Sequence, residues 1–216
     1  MIAVTFALPA ESRDFRQLLR AKNHEIVIAH TGVGEQTSRA KLEAFLADQR
    51  FDFLISSGFA GSLDPSLGAG DLFLAENFSD PKLFAQAREL LITQAGNLTS
   101  IDKIIEDRNG REKLAHATGA RAVDMETATI AEICARHQLP MLSLRGISDS
   151  AAAPLPAPAA VLFDVVRQKT RGGKLAGYVL RHPAAFVRLL RFSRGISRAR
   201  ASLTTALAVL ARELER

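Results

Sequence analysis

The chain has 216 residues, of which 47% are hydrophobic and 24% charged. That is enough for one sizeable domain around a single core, and the balance excludes a disordered or fibrous chain. The lone Cys134 excludes an intrachain disulfide and a cysteine zinc site, and no apolar run reaches the roughly 18 residues of a membrane span. Met1 runs directly into a strand-like stretch rather than a charged leader, so the expected location is the cytoplasm. The net charge of +5 is unevenly spread. Val165 to Arg216 holds 12 Lys and Arg against Glu213 and Glu215, a balance of +10, whereas Met1 to Asp164 has 16 basic and 21 acidic residues, or −5.

In chain order, the continuous apolar run Met1–Leu8 reads as a central strand buried on both faces, closed by Pro9. Glu11–Ala21 carries Phe15, Leu18 and Leu19 at helical spacing. Glu25–His30 is a second strand, after which Thr31-Gly32-Val33-Gly34 turns into a helix through about Gln49. Phe51–Ser56 is a third strand ending in the glycine-bearing stretch Ser57–Ser62, and Asp71–Ala75 is a fourth. Gly96–Ile105 reads as a further strand and Arg111–Thr118 as a short helix, within a middle region, Glu76–Ala122, of weak pattern. Val123-Asp124-Met125-Glu126 leads into a helix through His137, Pro140 closes it, and Met141–Leu144 is a strand ending at Arg145–Asp149. Ser150–Pro158 is a Pro/Ala linker or lid, and Ala159–Gln168 is the last helix of the body. Strands alternating with helices at this pace predict an α/β layered domain with a largely parallel sheet.

The division expected is a body, residues 1–168, and a basic helical tail, residues 169–216. In the tail Phe186, Leu189, Leu190, Ile196, Leu203, Leu207, Leu210 and Leu214 share one helical face. Arg188, Arg191, Arg194, Arg198 and Arg212 take the other if the helix continues past Gly195. Such a helix either lies on an anionic lipid surface or docks its apolar face on the body or on a second subunit. With one Tyr, no Trp and no recognised module, nucleic acid is not expected as a partner.

In open α/β sheets ligands bind outside the carboxyl ends of the strands. Those ends hold Glu11, Gly32–Gly34, Gly58–Gly61 and Asp149, with Met125-Glu126 opening a helix nearby. Singly, each acid has the plainer role of a helix-terminus charge or a loop cap. The histidines, His24, His30, His116, His137 and His182, lack ligand spacing, so no metal is expected, and no cofactor motif is present. With acids as the convergent titratable groups, general acid/base chemistry is the simplest expectation.

The combination of ALPAE (Ala7–Glu11), TGVG (Thr31–Gly34), SSGFAGSL, GDLFLAE, VDMET (Val123–Thr127) and LRGISDS (Leu144–Ser150) resembles the nucleoside phosphorylase/nucleosidase superfamily over roughly Met1–Asp164. Within it the chain is most similar to the hopanoid-associated phosphorylases, thought to remove adenine from adenosylhopane, through IDKII, REKLAHATGARAVDMET and the basic tail. It is similar also to methylthioadenosine/adenosylhomocysteine nucleosidases at Glu11, Met125-Glu126 and Asp149. The resemblance implies a three-layer fold with a mixed, mostly parallel central sheet flanked by helices. It implies cleavage of the N-glycosidic bond of an adenine nucleoside, free or lipid-linked, with no cofactor, and a homo-oligomer.

By the same resemblance Asp149 protonates the purine near N7, Glu126 accepts the ribose hydroxyls with Met125 beneath the ring, and Glu11 polarises the attacking water. Backbone at Ile104 and Ile105 reads the adenine edge, while Phe59, Gly58 and Ser148 complete the substrate site. Phosphorylases usually have Ser or Thr where Phe59 stands, and a carboxylate at Glu11 repels phosphate, so hydrolysis is favoured over phosphorolysis with phosphate as co-substrate. Arg13 and Arg145 are the candidate phosphate-binding arginines. The alternatives are a methylthioadenosine-type or futalosine-type nucleosidase, and a non-catalytic nucleoside-binding or membrane-associated protein placed peripherally on the inner membrane face.

Overall fold

The computed structural model describes residues 1–20, 26–152, 155–164, 169–170 and 172–214. Of the sequence expectations, Ala21 at the end of the first helix, His24, Glu25, residues 153–154 of the linker, residues 165–168 of the last body helix, Arg171, and Glu215 and Arg216 of the tail lie outside the described residues.

Strand β1 (Ile2–Phe6) is buried along its whole length, as its unbroken apolar run requires, and helix α1 (Pro9–Leu19) starts at the proline that ends that run. β2 (Ile26–His30) and α2 (Glu35–Ala47) follow, then β3 (Phe53–Ser62) and β4 (Leu72–Ala75). Helix α3 (Pro81–Leu90), capped by the Asp80 carboxylate on the N–H groups of Lys82 and Leu83, precedes the short strands β5 (Gln94–Gly96) and β6 (Leu98–Ser100). Then come α4 (Arg108–Thr118), β7 (Ala122–Asp124), α5 (Thr127–Arg136) and β8 (Met141–Asp149). After α6 (Ala159–Leu162), β9 (Phe163–Asp164) and β10 (Lys169–Thr170) pair with each other, and α7 (Gly172–Arg181) and the long α8 (Pro183–Leu214) close the chain.

The main sheet runs β2-β1-β3-β8-β4-β5. β1 pairs in parallel with β2 and β3, and β3 with β8, whereas β8 and β4 are antiparallel. β7 joins the far end of β3 in antiparallel fashion and pairs in parallel with β6. The architecture is the expected mixed, mostly parallel sheet flanked by helices.

Four expected boundaries change. The glycine-bearing stretch Ser57–Ser62 is not a loop after β3 but its second half, because β8 and then β7 pair with it; the register shifts at Ala60/Gly61, a bulge that bends the strand end. β8 likewise runs on through Arg145 to Asp149, every residue buried. In place of one strand at Gly96–Ile105 there are two three-residue strands and a loop, and the helix expected over Ala159–Gln168 ends at Leu162, where Phe163 and Asp164 form a strand.

The tail does not stand apart from the body. α8 continues through Gly195, and its second half buries Leu203, Leu207 and Leu210 in the same core as Phe6, Phe15, Ile55 and Leu144. The approach is close. A methyl group on Gly146 of β8 would stand 2.9 Å from the Ala199 carbonyl oxygen, and one on Gly195 would stand 2.8 Å from that of Ser148. Arg200 of α8 pairs with Asp14 of α1 at 2.8 Å, so part of the basic excess is spent on the acidic body. A boundary at residue 168 therefore does not separate two cores. Leu207→Ala is expected to lower the unfolding free energy by about 2–5 kcal/mol in a denaturant titration. A loss near that of a surface substitution, within about 0.5 kcal/mol, would remove α8 from the core.

Candidate active site

Two of the three acids face one hollow. A cavity of about 240 Å³ beyond the carboxyl ends of β3 and β8 is lined by Glu126 and Asp149 together with Phe59, Ile104, Ile105, Met125 and Ser148. Glu11 and Gly58 are not on its wall. They lie together behind it, with Glu11 Oε2 close enough to stand 3.4 Å from a methyl group built on Gly58.

Each acid is held by its local chain geometry. Glu11, in the first turn of α1, reaches back so that Oε2 accepts the Ala7 and Leu8 N–H groups at 3.0 and 3.2 Å. It caps its own helix as well as flanking the site. Glu126 immediately precedes α5, and its Oε1 accepts the Gly34 N–H at 2.8 Å. Gly34 has φ of 90°, a left-handed conformation suited to glycine, which is why the TGVG turn can aim that N–H at the acid. Asp149 ends β8, with Oδ1 on the Ser148 hydroxyl and Oδ2 on the Arg111 guanidinium.

Burial dominates the electrostatics. It lifts the Glu11 pKa to about 7 against the helix N–H groups and Arg145, which pull it down. It lifts Glu126 to about 8, aided by the charges of Asp124 and Glu11 and opposed by Gly34 N–H and Arg145. Asp149 is also raised by burial, with Arg111 and Ser148 opposing. The influence of Glu11 on Glu126 shows how near the third acid stands, although it is off the wall.

Beneath these acids lies a buried clamp that the sequence did not disclose. Arg145, 2% exposed, donates Nε to Asp124 Oδ2 at 2.9 Å and Nη2 to Ser56 Oγ at 2.8 Å, and also reaches Thr127 Oγ1. Asp124 further accepts the Ser100 hydroxyl and the Thr127 N–H. Arg145 is therefore fully engaged and absent from the cavity wall, and Arg13, largely exposed, pairs with Asp14. Neither candidate phosphate arginine faces the hollow. The arginine that does is Arg111 of α4, 4% exposed, whose Nη1 donates to Ser62 O at 3.0 Å and whose Nε has no hydrogen-bond partner among the described residues. It fits because Gly61 has no side chain: a methyl there would meet the guanidinium at 3.0 Å. In the sequence Arg111 is one charge among many on α4, and nothing singles it out. Phe192 of α8 and Leu155 also line the cavity and were not foreseen. Among the described residues no cluster of three or more His, Cys, Asp or Glu is placed to hold a metal ion.

A mixed sheet with carboxyl groups buried at its strand ends, one beside a glycine turn and one beside an arginine, defines an α/β protein with an acid-lined hollow at the carboxyl edge of its sheet. Residues 77–182, just under half of the chain, match the phosphorylase superfamily. A 5′-methylthioadenosine/S-adenosylhomocysteine nucleosidase of Staphylococcus aureus is 26% identical over 161 residues, covering 60% of this chain and 71% of that protein. An aminodeoxyfutalosine nucleosidase of Campylobacter jejuni is 26% identical over 160 residues, covering 60% and 70%. In fold, the chain superposes on the futalosine hydrolase of Helicobacter pylori with a TM-score of 0.73 at 18% identity, covering 98% of this chain and 97% of that one. A Neisseria meningitidis nucleosidase in complex with methylthio-immucillin-A gives 0.70 at 19% identity, covering 98% of each.

The raised acids carry a sign that can be tested. A carboxyl with its folded pKa above 4.5 binds its proton more tightly folded than unfolded, so its contribution to stability is full below pH 4.5 and falls as the pH rises through about 8 for Glu126. Glu126→Gln has no proton to lose. Between pH 5 and 8.5 its melting temperature is expected to gain on that of the native chain by a few degrees. Parallel melting curves across that range would place the Glu126 carboxyl in an environment like water.

Proposed function

We propose that this chain cleaves the N-glycosidic bond of an adenine nucleoside by hydrolysis. The observation that carries the reading is the pairing of Asp149 and Glu126, two buried acids with raised proton affinity, across one cavity with Met125 between β7 and α5. As the bond breaks, positive charge builds on the ribose and negative charge on the departing base. A protonated Asp149 supplies the proton to the base, and Glu126 accepts the ribose hydroxyls and, in its ionised form, which gains as the pH rises towards about 8, offsets the charge on the sugar. Arg111 favours the carboxylate that Asp149 becomes after donation, so it keeps a deeply buried acid from holding its proton too tightly. Phe59, Ile104 and Ile105 give the base an apolar slot, with backbone at Ile104 and Ile105 reading its edge and Ser148 fixing the donor oxygen.

Water, rather than phosphate, is the nucleophile in this reading. Two carboxyl groups stand at the sugar end, Glu126 on the wall and Glu11 behind Gly58, able to accept a hydrogen bond from water, whereas phosphate is repelled by whichever of them is ionised, and the cavity's arginine is already held on Asp149. The relatives named above support an adenine nucleoside, and a large apolar 5′ substituent such as that of adenosylhopane is the finer form of the proposal. α7 and the start of α8 expose Leu180, Phe186, Val187 and Leu190 beside arginines, a surface suited to an anionic membrane. Among the described residues no helix is long and apolar enough to cross one.

Adenine release from adenosine, 5′-methylthioadenosine and adenosylhopane, followed with and without phosphate, tests the reading. Release without phosphate is expected; an absolute need for phosphate would replace water with phosphate as nucleophile. Asp149→Asn is expected to lower kcat by about 10²–10⁴-fold while nucleoside affinity stays within a few-fold. A near-normal rate would reject the donor assignment. In sedimentation with anionic vesicles the native chain is expected to pellet and Phe186→Ser/Leu190→Ser to remain in solution; equal behaviour of the two would discard the membrane surface.

A further inference from the structure

The cavity does not end at Asp149. A second hollow of about 370 Å³ adjoins it and shares Ser148, Asp149, Leu155 and Phe192 with the first. Met125 and Glu126 line only the first, so the second opens from the Asp149 end. Pro156 extends the apolar wall made by Leu155 and Phe192. Arg188 and Arg191, exposed and three residues apart on α8, complete it. Of the other arginines of this helix, Arg200 pairs with Asp14 and Arg212 with Glu213, whereas Arg194 and Arg198, which do not line the hollow, have no carboxylate partner among the described residues. Arg188 and Arg191 have no ion-pair or hydrogen-bond partner among the described residues. Two unpaired cations one turn apart on the lip of a hollow repel each other, and an anion between them removes that cost.

We infer that the second hollow is a subsite for an anionic substituent carried on the nucleobase. An apolar linker lies along Leu155, Pro156 and Phe192, and a carboxylate or phosphate is met by Arg188 and Arg191. The inference rests on the reading of Asp149 as the group that faces the base. With the base at Asp149, a group projecting beyond it enters this hollow. Size points the same way. The first hollow, about 240 Å³, is below the roughly 300–1,000 Å³ of ordinary ligand pockets, and the second carries the site into that range. A phosphate acting as nucleophile would lie at the sugar, on the wrong side of Asp149 to use these arginines.

The test is calorimetric titration of the full chain with N6-(3-carboxypropyl)adenosine and with its neutral carboxamide counterpart. The carboxylate is expected to bind at least about tenfold more tightly, the scale of one charge-assisted hydrogen bond. That preference is expected to vanish in Arg188→Gln/Arg191→Gln, whose melting temperature serves as the folding control because both side chains are exposed. Equal affinities in the native chain, a preference that survives in the double variant, or no binding of either compound would overturn the subsite. Inorganic phosphate binding alone with the same dependence on the two arginines would reassign the hollow to a free anion and overturn the base substituent. Because the readout is binding, the absence of adenine release from adenosine, 5′-methylthioadenosine and adenosylhopane alike, alongside a charge-dependent preference, would end the catalytic reading and leave the subsite standing.

Discussion

The site depends on one buried ion pair. Arg145 and Asp124, both nearly inaccessible to water, tie the middle of β8 to the end of β7, to Ser56 in β3 and to the first turn of α5. A charge pair so deep is costly unless every polar atom is satisfied, and here hydroxyls and backbone groups complete the set. Breaking one half would leave its partner stranded, so the strand ends are fixed relative to one another. The cost is offset by position: the same guanidinium lowers the proton affinity of both Glu11 and Glu126, which burial alone would push higher still.

Much of the frame was legible because burial on both faces leaves a strong trace. β1 reads as an unbroken apolar run, and the acids Glu126 and Asp149 sit at a helix start and a strand end, where chain geometry makes charge useful. The trace fails where pairing overrides composition. Ser57–Ser62 has the residues of a loop, yet neighbours on both sides make it strand, since sheet propensity is chiefly a matter of context. Glu11 was legible as an acid near the site but not as one standing behind Gly58. Arg111 and Phe192 were not legible at all. Each reaches the cavity from an element that looks like an ordinary surface helix, and only three-dimensional proximity gives it meaning.

The tail shows how a charge count can mislead. Its +10 balance reads as an appendage for an anionic partner, but the Leu203–Leu210 face lies in the common core and Arg200 is bound to α1. What remains free is the first half of α8 with α7, where apolar and cationic side chains are exposed together. One helix thus serves two environments, its far half as interior and its near half as wall and rim of the substrate site.

The close crossing at Gly146 and Gly195 makes that wall rigid. Where main chain rests on main chain there is no side chain to rearrange, and α8 cannot be levered outward to admit a bulkier guest without tearing its inner half from the core. On the α8 side of the site, divergence in what such an enzyme accepts then falls to the few side chains on the turns just before Gly195, a short stretch in which selectivity can drift while the scaffold stays unchanged.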